Sequence, residues 1–302
     1  MEPASKLLIA AGTAVGAALG SILLRNHGTK AMLDRIDEAF PGSLTNAELV
    51  DRVYEKLSQH AALSSSGKKK KKKKKRAQKQ NVLLCTSLCS DEIVRGLERD
   101  FAKVYGDDSS STTTNDSYYT MGGLAGFPWG GTTAFASMAS RIPPNGTALL
   151  VFGPHVGVDD NGHLGTVPRR GRDGVAGPCC EAAVAASPYV TTAKADGSAK
   201  MMPSAGQDAE QTLLCNALLP YAERIDQSSE PMVELPYSLY DAQKEMITNI
   251  VKAGCGAIPD HTHVAVLGGI QINTPPGVTD YFIPLSFELY DKTGTKVDDL
   301  TL

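Results

Sequence analysis

Short apolar segments alternate with segments of helical periodicity along most of this chain, and that alternation limits it to a layered fold. Apolar runs bounded by turn residues predict strands at 82–88, 147–152, 263–272 and 281–290. Helical spacing of apolar residues predicts helices at 45–60, 91–104, 133–141, 181–186, 209–224 and 240–253. Helices interleaved with strands predict an α/β fold with a mixed central sheet flanked by helices. The linker 274–277 predicts a hairpin-like return between the last two strands.

The composition is that of a soluble globular chain that folds without disulfides. The chain has 302 residues, of which 42% are hydrophobic and 21% charged. Its six cysteines are irregularly spaced and do not form the dense framework of a small secreted protein. Cys179 and Cys180 are adjacent, a spacing that disfavours a bridge between them. We therefore expect reduced thiols, some of them metal ligands.

One third of the positively charged residues of the chain lie in one short basic run. Ten of the 30 Lys and Arg residues lie between Lys68 and Lys79, so the remaining 20 face 33 acidic residues. This acidic body disfavours a nucleic-acid-binding protein. The run 68–76 itself is expected to be a solvated loop, within a polylysine segment at 64–80, because adjacent ammonium groups repel each other. The alternative is an electrostatic tether to an anionic membrane or an acidic partner.

An apolar stretch of alanines and glycines occupies residues 7–24. Its length is marginal for a membrane span and long for the core of a signal peptide. Gly12, Gly16 and Gly20 recur every four residues, a spacing that suits close helix packing in lipid. We predict a targeting or anchor segment at 1–31, with cleavage and anchoring left open, followed by a folded domain at 32–302.

Three residues at the ends of predicted elements form a candidate metal site. Cys89 follows the strand 82–88, His155 follows the strand 147–152, and Cys180 comes just before a helix. Donors gather at the carboxyl ends of strands in α/β sheets, and helix N-termini stabilise thiolates. Two Cys and one His favour Zn²⁺ and leave a fourth position open. A buried Cys is nonetheless more often a packing residue than a ligand.

Other candidates are weaker. His261 and His263 share a face at a strand start near Cys255 and give a second, less favoured metal site. Cys85 and Cys215 are interpreted as core residues, with a supporting or redox role as the alternative for Cys85. Three arginines in a glycine-rich loop either attract an anion or are simply solvated: Arg169, Arg170 and Arg172.

Five motifs resemble the low-CO2-inducible B family of algae and the theta-type carbonic anhydrases of diatoms. They occur in the family's order from about Met32 to the C-terminus: LCSDE at 88–92, GGLAGFP at 122–128, FGPHVG at 152–157, CEAA at 180–183, and LGGI at 267–270 with TDYF at 279–282. The resemblance implies a fold and zinc site similar to beta-type carbonic anhydrases, a homodimer, and a plastid location. It also implies reversible hydration of CO2 to bicarbonate in a CO2-concentrating mechanism.

By resemblance, Cys89, His155 and Cys180 are the zinc ligands. The Cys179–Cys180 pair departs from the family's single Cys, so the choice between them stays open, with register favouring Cys180. Two alternative functions also remain: a non-catalytic zinc-binding scaffold or CO2-recapture component of the same family, and a membrane-tethered binding protein that uses residues 7–24 and 68–76.

The resemblance also points to an Asp–Arg pair. Beta-type enzymes place them as C-x-D-x-R, whereas here Asp91 is followed by Arg95, four residues later. Residues four apart face each other on a helix, so we predict an Asp91–Arg95 pair, with Asp91 orienting the catalytic hydroxide and Arg95 holding Asp91 ionised. A plain helix salt bridge is the alternative. Leu124, Phe127 and Trp129 are a candidate apolar pocket for CO2, although Trp129 alone is better explained by core packing.

Overall fold

The computed structural model describes residues 29–64, 82–105, 118–169, 175–196 and 206–302. The helices are α1 (29–39), α2 (Asn46–Ser64), α3 (Arg95–Tyr105), α4 (Gly131–Ala139), α5 (Glu181–Asp196), α6 (Ala209–Leu218), α7 (Ala222–Asp226) and α8 (Pro231–Gly254). The strands are β1 (Leu44–Thr45), β2 (Val82–Ser87), β3 (Tyr119–Thr120), β4 (Thr147–Phe152), β5 (His155–Gly157), β6 (Thr166–Pro168), β7 (Ala176–Pro178), β8 (His263–Asn273), β9 (Tyr281–Tyr290) and β10 (Lys296–Asp299).

A mixed sheet organises the described part of the chain. Its order is β1-β9-β8-β4-β2-β3, with β10 on β9 and β5 on β8, which makes eight strands within the described ranges. The neighbours β3, β2, β4 and β8 are parallel, and so is the β5–β8 pair. The hairpin β8–β9 is antiparallel. The predicted α/β fold with a mixed central sheet flanked by helices is confirmed, as is the terminal hairpin.

Helices cover both faces of the sheet because its central strands are apolar on both sides. In β8, Ala265 and Leu267 pack into one core cluster with α2 and α3. Val264 and Val266, which alternate with them, pack into a second cluster with α1 and α4. The long helix α8 contributes to both clusters and so closes the domain along one side.

The bounds of the predicted helices differ from the observed ones, and in three cases the difference has a clear local cause. The segment predicted at 91–104 begins with a short turn, Glu92–Val94, and Asp91 is its cap, since the Asp91 side chain accepts from the backbone N–H of Ile93. The helix predicted at 209–224 is divided by the turn Leu219–Tyr221, where a proline lacks the N–H that a continuous helix needs. The helix predicted at 240–253 begins earlier, at Pro231, because proline suits a first helical position.

Among the described residues, no helix is long and apolar enough to cross a membrane. The apolar stretch 7–24 and the basic run 68–76 lie outside the described residues. The anchor segment, the domain boundary after residue 31 and the polylysine loop therefore stay predictions.

Candidate metal centre

Cys89, His155 and Cys180 meet in the structure at the carboxyl ends of β2 and β4. Cys89 lies two residues beyond β2, His155 opens β5, and Cys180 immediately precedes α5. One ligand atom from each lies within 4.8 Å of the others, and the Cys89 and Cys180 Sγ atoms are 3.6 Å apart. All three side chains are buried. Three separate segments thus bring two sulfurs and one nitrogen to one point.

Close backbone packing makes this convergence possible. Gly153 follows β4 immediately before the histidine motif, and a Cβ there would lie 1.8 Å from the carbonyl oxygen of Gly269. A Cβ on Gly126, whose φ is +84°, would lie 2.6 Å from the carbonyl oxygen of Gly153 and 3.3 Å from the backbone nitrogen of Cys89. Only glycine fits at either position. The glycine-rich motifs therefore let the segments that carry Cys89 and His155 approach each other and β8.

The imidazole of His155 is held from one side. Its Nδ1 lies 2.9 Å from Oδ1 of Asn273, the last residue of β8. Its Nε2 is buried and has no hydrogen-bond partner among the described residues. A buried nitrogen without a partner is costly unless something else satisfies it. With Nδ1 engaged, Nε2 is the nitrogen left to bind a metal with the two sulfurs, so the residues fit Zn²⁺ by softness, number and geometry.

Cys179 lies at the same ring nitrogen of His155 as Asn273 does. Its Sγ is 3.3 Å from Nδ1 of His155 and 3.8 Å from Oδ1 of Asn273. The cluster of candidate ligand atoms contains Cys180 and not Cys179. Of the two alternatives left open by the sequence, the geometry favours Cys180 as the ligand.

The pKa values of the two clustered thiols, Cys89 and Cys180, are shifted in opposite directions. The thiol of Cys180 donates toward Cys89 and holds the pKa of Cys89 well below its usual range, although burial opposes this; His155 and the backbone N–H of Asp91 lower it further. The same contact with Cys89, together with burial, raises the pKa of Cys180. Burial lowers the pKa of His155, but the neighbouring sulfurs of Cys179 and Cys180 more than offset this and raise it. The lowered pKa of Cys89 favours its thiolate, which is the form that binds metal.

The Asp91–Arg95 pair predicted from the sequence is not formed; Asp91 pairs with Arg169. Both guanidinium Nη atoms of Arg169 donate to Asp91, at 2.9 Å to Oδ1 and 2.7 Å to Oδ2. The reason is local: Asp91 is an extended cap with ψ of 136°, so it lies outside the helix and the four-residue relation does not apply. Burial raises the pKa of Asp91, but the Arg169 guanidinium, together with Glu92, His155 and the backbone N–H of Ile93, outweighs it and brings that pKa to about 2.

Arg95 instead braces the segment that carries Cys89. One Nη donates to the Cys89 carbonyl at 2.9 Å, and the other donates to Glu98. Glu98 is fully buried and also accepts from Thr86 Oγ1 at 2.7 Å and Tyr118 OH at 2.8 Å. A buried carboxylate with three donors is a satisfied network. Arg95 therefore acts on the backbone of the first cysteine motif and not on Asp91.

The remaining candidates do not join the centre. His263 packs against His60 with ring centroids 5.5 Å apart, and the described residues hold no metal-ligand cluster at His261, His263 and Cys255. Cys85 and Cys215 are buried core residues. Phe127 and Trp129 stack with centroids 4.8 Å apart, in the core cluster that also holds Cys89 and Cys180. Arg170 and Arg172 lie outside the described residues.

A surface cavity of about 330 Å³ lies next to the Asp91–Arg169 pair. Polar side chains and a proline-rich turn line it: Glu92, Arg99, Arg169, Thr274, Pro275, Pro276 and Asp280. Sequence reasoning missed three residues near the centre, Glu98, Asn273 and Asp280. The motif TDYF at 279–282 contains Asp280 and was noticed only as part of a resemblance, whereas nothing in the sequence marks Asn273 as a neighbour of His155.

The fold and the site together define a class of protein: an α/β domain with a buried Cys-His-Cys cluster at the carboxyl ends of its parallel strands. Residues 66–291 match the sequence model of a protein family that is described as limiting CO2-inducible proteins B/C beta carbonic anhydrases. The chain belongs to this family, which confirms the resemblance seen in its motifs.

Solved structures agree with this assignment. PtLCIB4, described as a homolog of the limiting CO2-inducible protein LCIB, is 42% identical; the match covers 89% of this chain and 100% of that one, with a TM-score of 0.74. A histidine-to-alanine point mutant of PtLCIB4 gives 42% identity, 89% and 98% coverage, and a TM-score of 0.75. LCIB itself shares the fold at 18% identity, 87% and 97% coverage, and a TM-score of 0.57. No match was found among curated protein sequences.

Proposed function

We propose that this chain is a zinc-dependent carbonic anhydrase that interconverts CO2 and bicarbonate. The observation that carries the proposal is the buried cluster of Cys89, His155 and Cys180, in which Nε2 of His155 has no other partner within the described residues. Two sulfurs and one imidazole leave one open position on a tetrahedral ion, as catalytic zinc sites do. Membership of a family described as beta carbonic anhydrases supports the same reaction.

The residues of the cluster have distinct tasks in this proposal. Zn²⁺ would be held by the sulfurs of Cys89 and Cys180 and by Nε2 of His155, and when bound it supplies a hydroxide near neutral pH by lowering the pKa of water to about 7. Two thiolates neutralise the charge of the ion and so weaken its effect on water. Hydrogen bonds from neighbouring protein groups therefore matter more than in a site with neutral ligands.

Asp91 is the candidate to accept a hydrogen bond from that hydroxide. Its backbone N–H reaches the sulfur of Cys89, so the residue lies beside the cluster. Arg169 keeps the Asp91 carboxylate ionised and fixes it in one plane through two parallel hydrogen bonds. An ionised, oriented acceptor selects the reactive lone pair of the nucleophile for attack. In this proposal Arg169 has the positioning role that the sequence assigned to Arg95.

Apolar side chains surround the other side of the cluster. A small cavity touches His155 and Cys180 and is lined by Met232, Leu235 and Leu239 of α8. The chemistry of this wall suits a neutral, apolar gas better than an anion, whereas bicarbonate favours the polar cavity beside Arg169. This arrangement supports a site that exchanges an apolar substrate for an anionic product.

Stopped-flow CO2 hydration on the purified full chain, with zinc assayed on the same sample, tests the proposal. We expect the wild-type chain to bind about one zinc and to be active. Both properties should be lost in Cys89→Ala and in His155→Ala. Both should be retained in the matched control Cys215→Ala, which removes a buried core thiol that is not one of the candidate metal ligands. Zinc without activity at any pH up to about 9 would favour a non-catalytic scaffold. Carefully prepared protein without zinc would contradict the site itself.

Three wider proposals extend the catalytic one: a homodimer and a plastid location, which rest on the resemblance, and membrane association, which rests on the apolar stretch 7–24 and the basic run 68–76. Gel filtration with light scattering tests the first of them on the same protein preparation.

A further inference from the structure

Asn273 lies between the histidine of the metal centre and a carboxylate at the edge of the surface cavity. Its side chain is fully buried at the end of β8. Oδ1 lies 2.9 Å from Nδ1 of His155 and accepts from the Cys179 thiol at 3.8 Å. Nδ2 donates to Oδ2 of Asp280 at 3.3 Å and to the carbonyl oxygen of Ile93 at 3.4 Å. All the hydrogen-bonding capacity of this amide is therefore used.

These partners fix which way the amide faces. The Ile93 carbonyl can only accept, and so can an ionised Asp280, so both require the NH2 group of Asn273. A flipped amide would bring its oxygen against those two oxygens and leave buried groups unsatisfied, which is unfavourable because these groups have no water to replace the lost partner. The orientation of Asn273 is thus determined by groups on the side away from the metal centre.

The orientation of Asn273 in turn fixes the tautomer of His155. An amide oxygen facing Nδ1 can only accept, so Nδ1 must carry the proton. A neutral imidazole with a proton on Nδ1 has a free lone pair on Nε2, which is what a metal requires of that atom. We propose that Asp280 is a positioning residue of the metal centre, which acts through Asn273 to hold His155 in the metal-binding tautomer.

Both oxygens of Asp280 are needed for this role. While Oδ2 holds Asn273, Oδ1 accepts from the backbone N–H of Thr274 at 2.9 Å and from its hydroxyl at 3.3 Å. An asparagine at position 280 has one oxygen and one NH2 group, so it can serve Thr274 or Asn273 but not both. If its oxygen accepts from Thr274, its NH2 group faces the NH2 group of Asn273. The unfavourable contact between these two donors is removed when the Asn273 amide flips, and its NH2 group then donates to Nδ1 of His155.

The experiment compares Asp280→Asn, Asn273→Asp and the double exchange of both residues in the full chain. Asn273→Asp alone sets two carboxylates face to face. The double variant restores the contacts with His155 and Thr274, because Asp at 273 accepts from His155 and from Asn at 280, whose oxygen serves Thr274; only the donor to the Ile93 carbonyl is not replaced. Asp291→Asn is the matched control, since Asp291 likewise accepts from backbone N–H groups in a tight turn, at the other end of β9.

Two readouts are taken on each variant: Zn²⁺ affinity in competition with a chromophoric chelator, and the Nδ1–H resonance of His155 in the ¹⁵N-labelled, zinc-loaded protein. We expect the single variants to bind Zn²⁺ about 10- to 100-fold more weakly. The hydrogen-bonded Nδ1–H resonance should be lost in Asp280→Asn, in which Asn273 flips, and shifted in Asn273→Asp, in which a carboxylate replaces the amide oxygen. The double variant should recover much of the affinity and the resonance, and Asp291→Asn should match the wild type.

The inference rests on the proposed metal centre but not on catalysis, and the two fail separately. Wild-type protein that binds zinc without hydrating CO2 contradicts the catalytic proposal alone, because affinity and resonance remain measurable. Single variants with wild-type zinc affinity and an unchanged Nδ1–H resonance overturn the role of Asp280. Weakened affinity in Asp280→Asn that the double exchange does not restore, with the resonance unchanged, also overturns it, since that pattern marks general loss of packing.

Discussion

Each of the two Nη atoms of Arg169 donates a hydrogen bond to one carboxylate oxygen of Asp91, a residue 78 positions away in the sequence. A third hydrogen bond, from Nη2 to the Pro178 carbonyl at 3.0 Å, ties the same guanidinium to β7, just before the second cysteine motif. One side chain therefore connects the segments that carry Cys89 and Cys180. We therefore expect the proposed activity to depend on Arg169, although Arg169 is not one of the proposed metal ligands.

Replacing Arg169 should therefore lower activity more than metal content. We expect Arg169→Gln to reduce kcat for CO2 hydration by about 10- to 100-fold while zinc stays near one per chain. Arg169→Lys should recover little, because an ammonium cannot reproduce the paired hydrogen bonds. Arg99→Gln is the control, since Arg99 lines the same cavity but bonds the Arg95 carbonyl. Equal losses in both variants would mean that only the cavity's charge matters.

Arg95 should behave differently, because its partners are structural. Arg95→Gln leaves the fully buried Glu98 with only Thr86 and Tyr118 as donors. We expect the free energy of unfolding to fall by about 3 kcal/mol, at the lower end for a buried pair because Arg95 is partly exposed. Urea denaturation measures it, with Lys30→Gln in the exposed Lys30–Asp34 pair as a control that should change nothing. A stable Arg95→Gln protein with low kcat would contradict a purely structural role for Arg95.

The pH dependence of the Asp91–Arg169 pair has a defined sign. The pKa of Asp91 is lowered from 3.8 to about 2, so the pair's contribution to stability is fully present above about pH 4 and is lost as the pH falls toward 2. The difference in unfolding free energy between wild type and Asp91→Asn should therefore be constant from pH 5 to 8 and shrink below pH 4. A difference that changes between pH 5 and 8 would contradict the assignment.

Whether a structural feature could be predicted from the sequence depends on whether it is determined by residues that are close together in the chain. The strands 82–88, 147–152, 263–272 and 281–290 were predictable because each is a short apolar run between turn residues. The convergence of Cys89, His155 and Cys180 was predictable because element ends meet at one edge of a parallel sheet. The partner of Asp91 was not: helical spacing favoured Arg95, whereas the true partner is fixed by the β6–β7 hairpin. Asn273 was likewise invisible, since only the β5–β8 register brings it to His155.

The two adjacent cysteines should separate cleanly by substitution. Cys180→Ser should lose most zinc, because a hydroxyl is a poor replacement for a thiolate on this ion. Cys179→Ser should retain it, since Cys179 contacts Nδ1 of His155 and Asn273 rather than the open side of the cluster. Zinc content and affinity of the two variants, purified in parallel under reducing conditions, measure this. Zinc loss in Cys179→Ser with retention in Cys180→Ser would reverse the assignment.

Gly153 should be the glycine whose replacement damages both fold and site. A Cβ at this position would meet the Gly269 carbonyl at 1.8 Å, a backbone atom that cannot move aside without separating β4 from β8. That separation would displace His155, two residues later, from Cys89 and Cys180. We expect Gly153→Ala to lower the free energy of unfolding by about 3 kcal/mol and to weaken zinc binding together with it. Gly256→Ala is the matched control, because nothing lies within 4 Å of a Cβ there. Retained zinc affinity in a destabilised Gly153→Ala protein would show that the approach of the two strands supports the sheet without setting the position of His155.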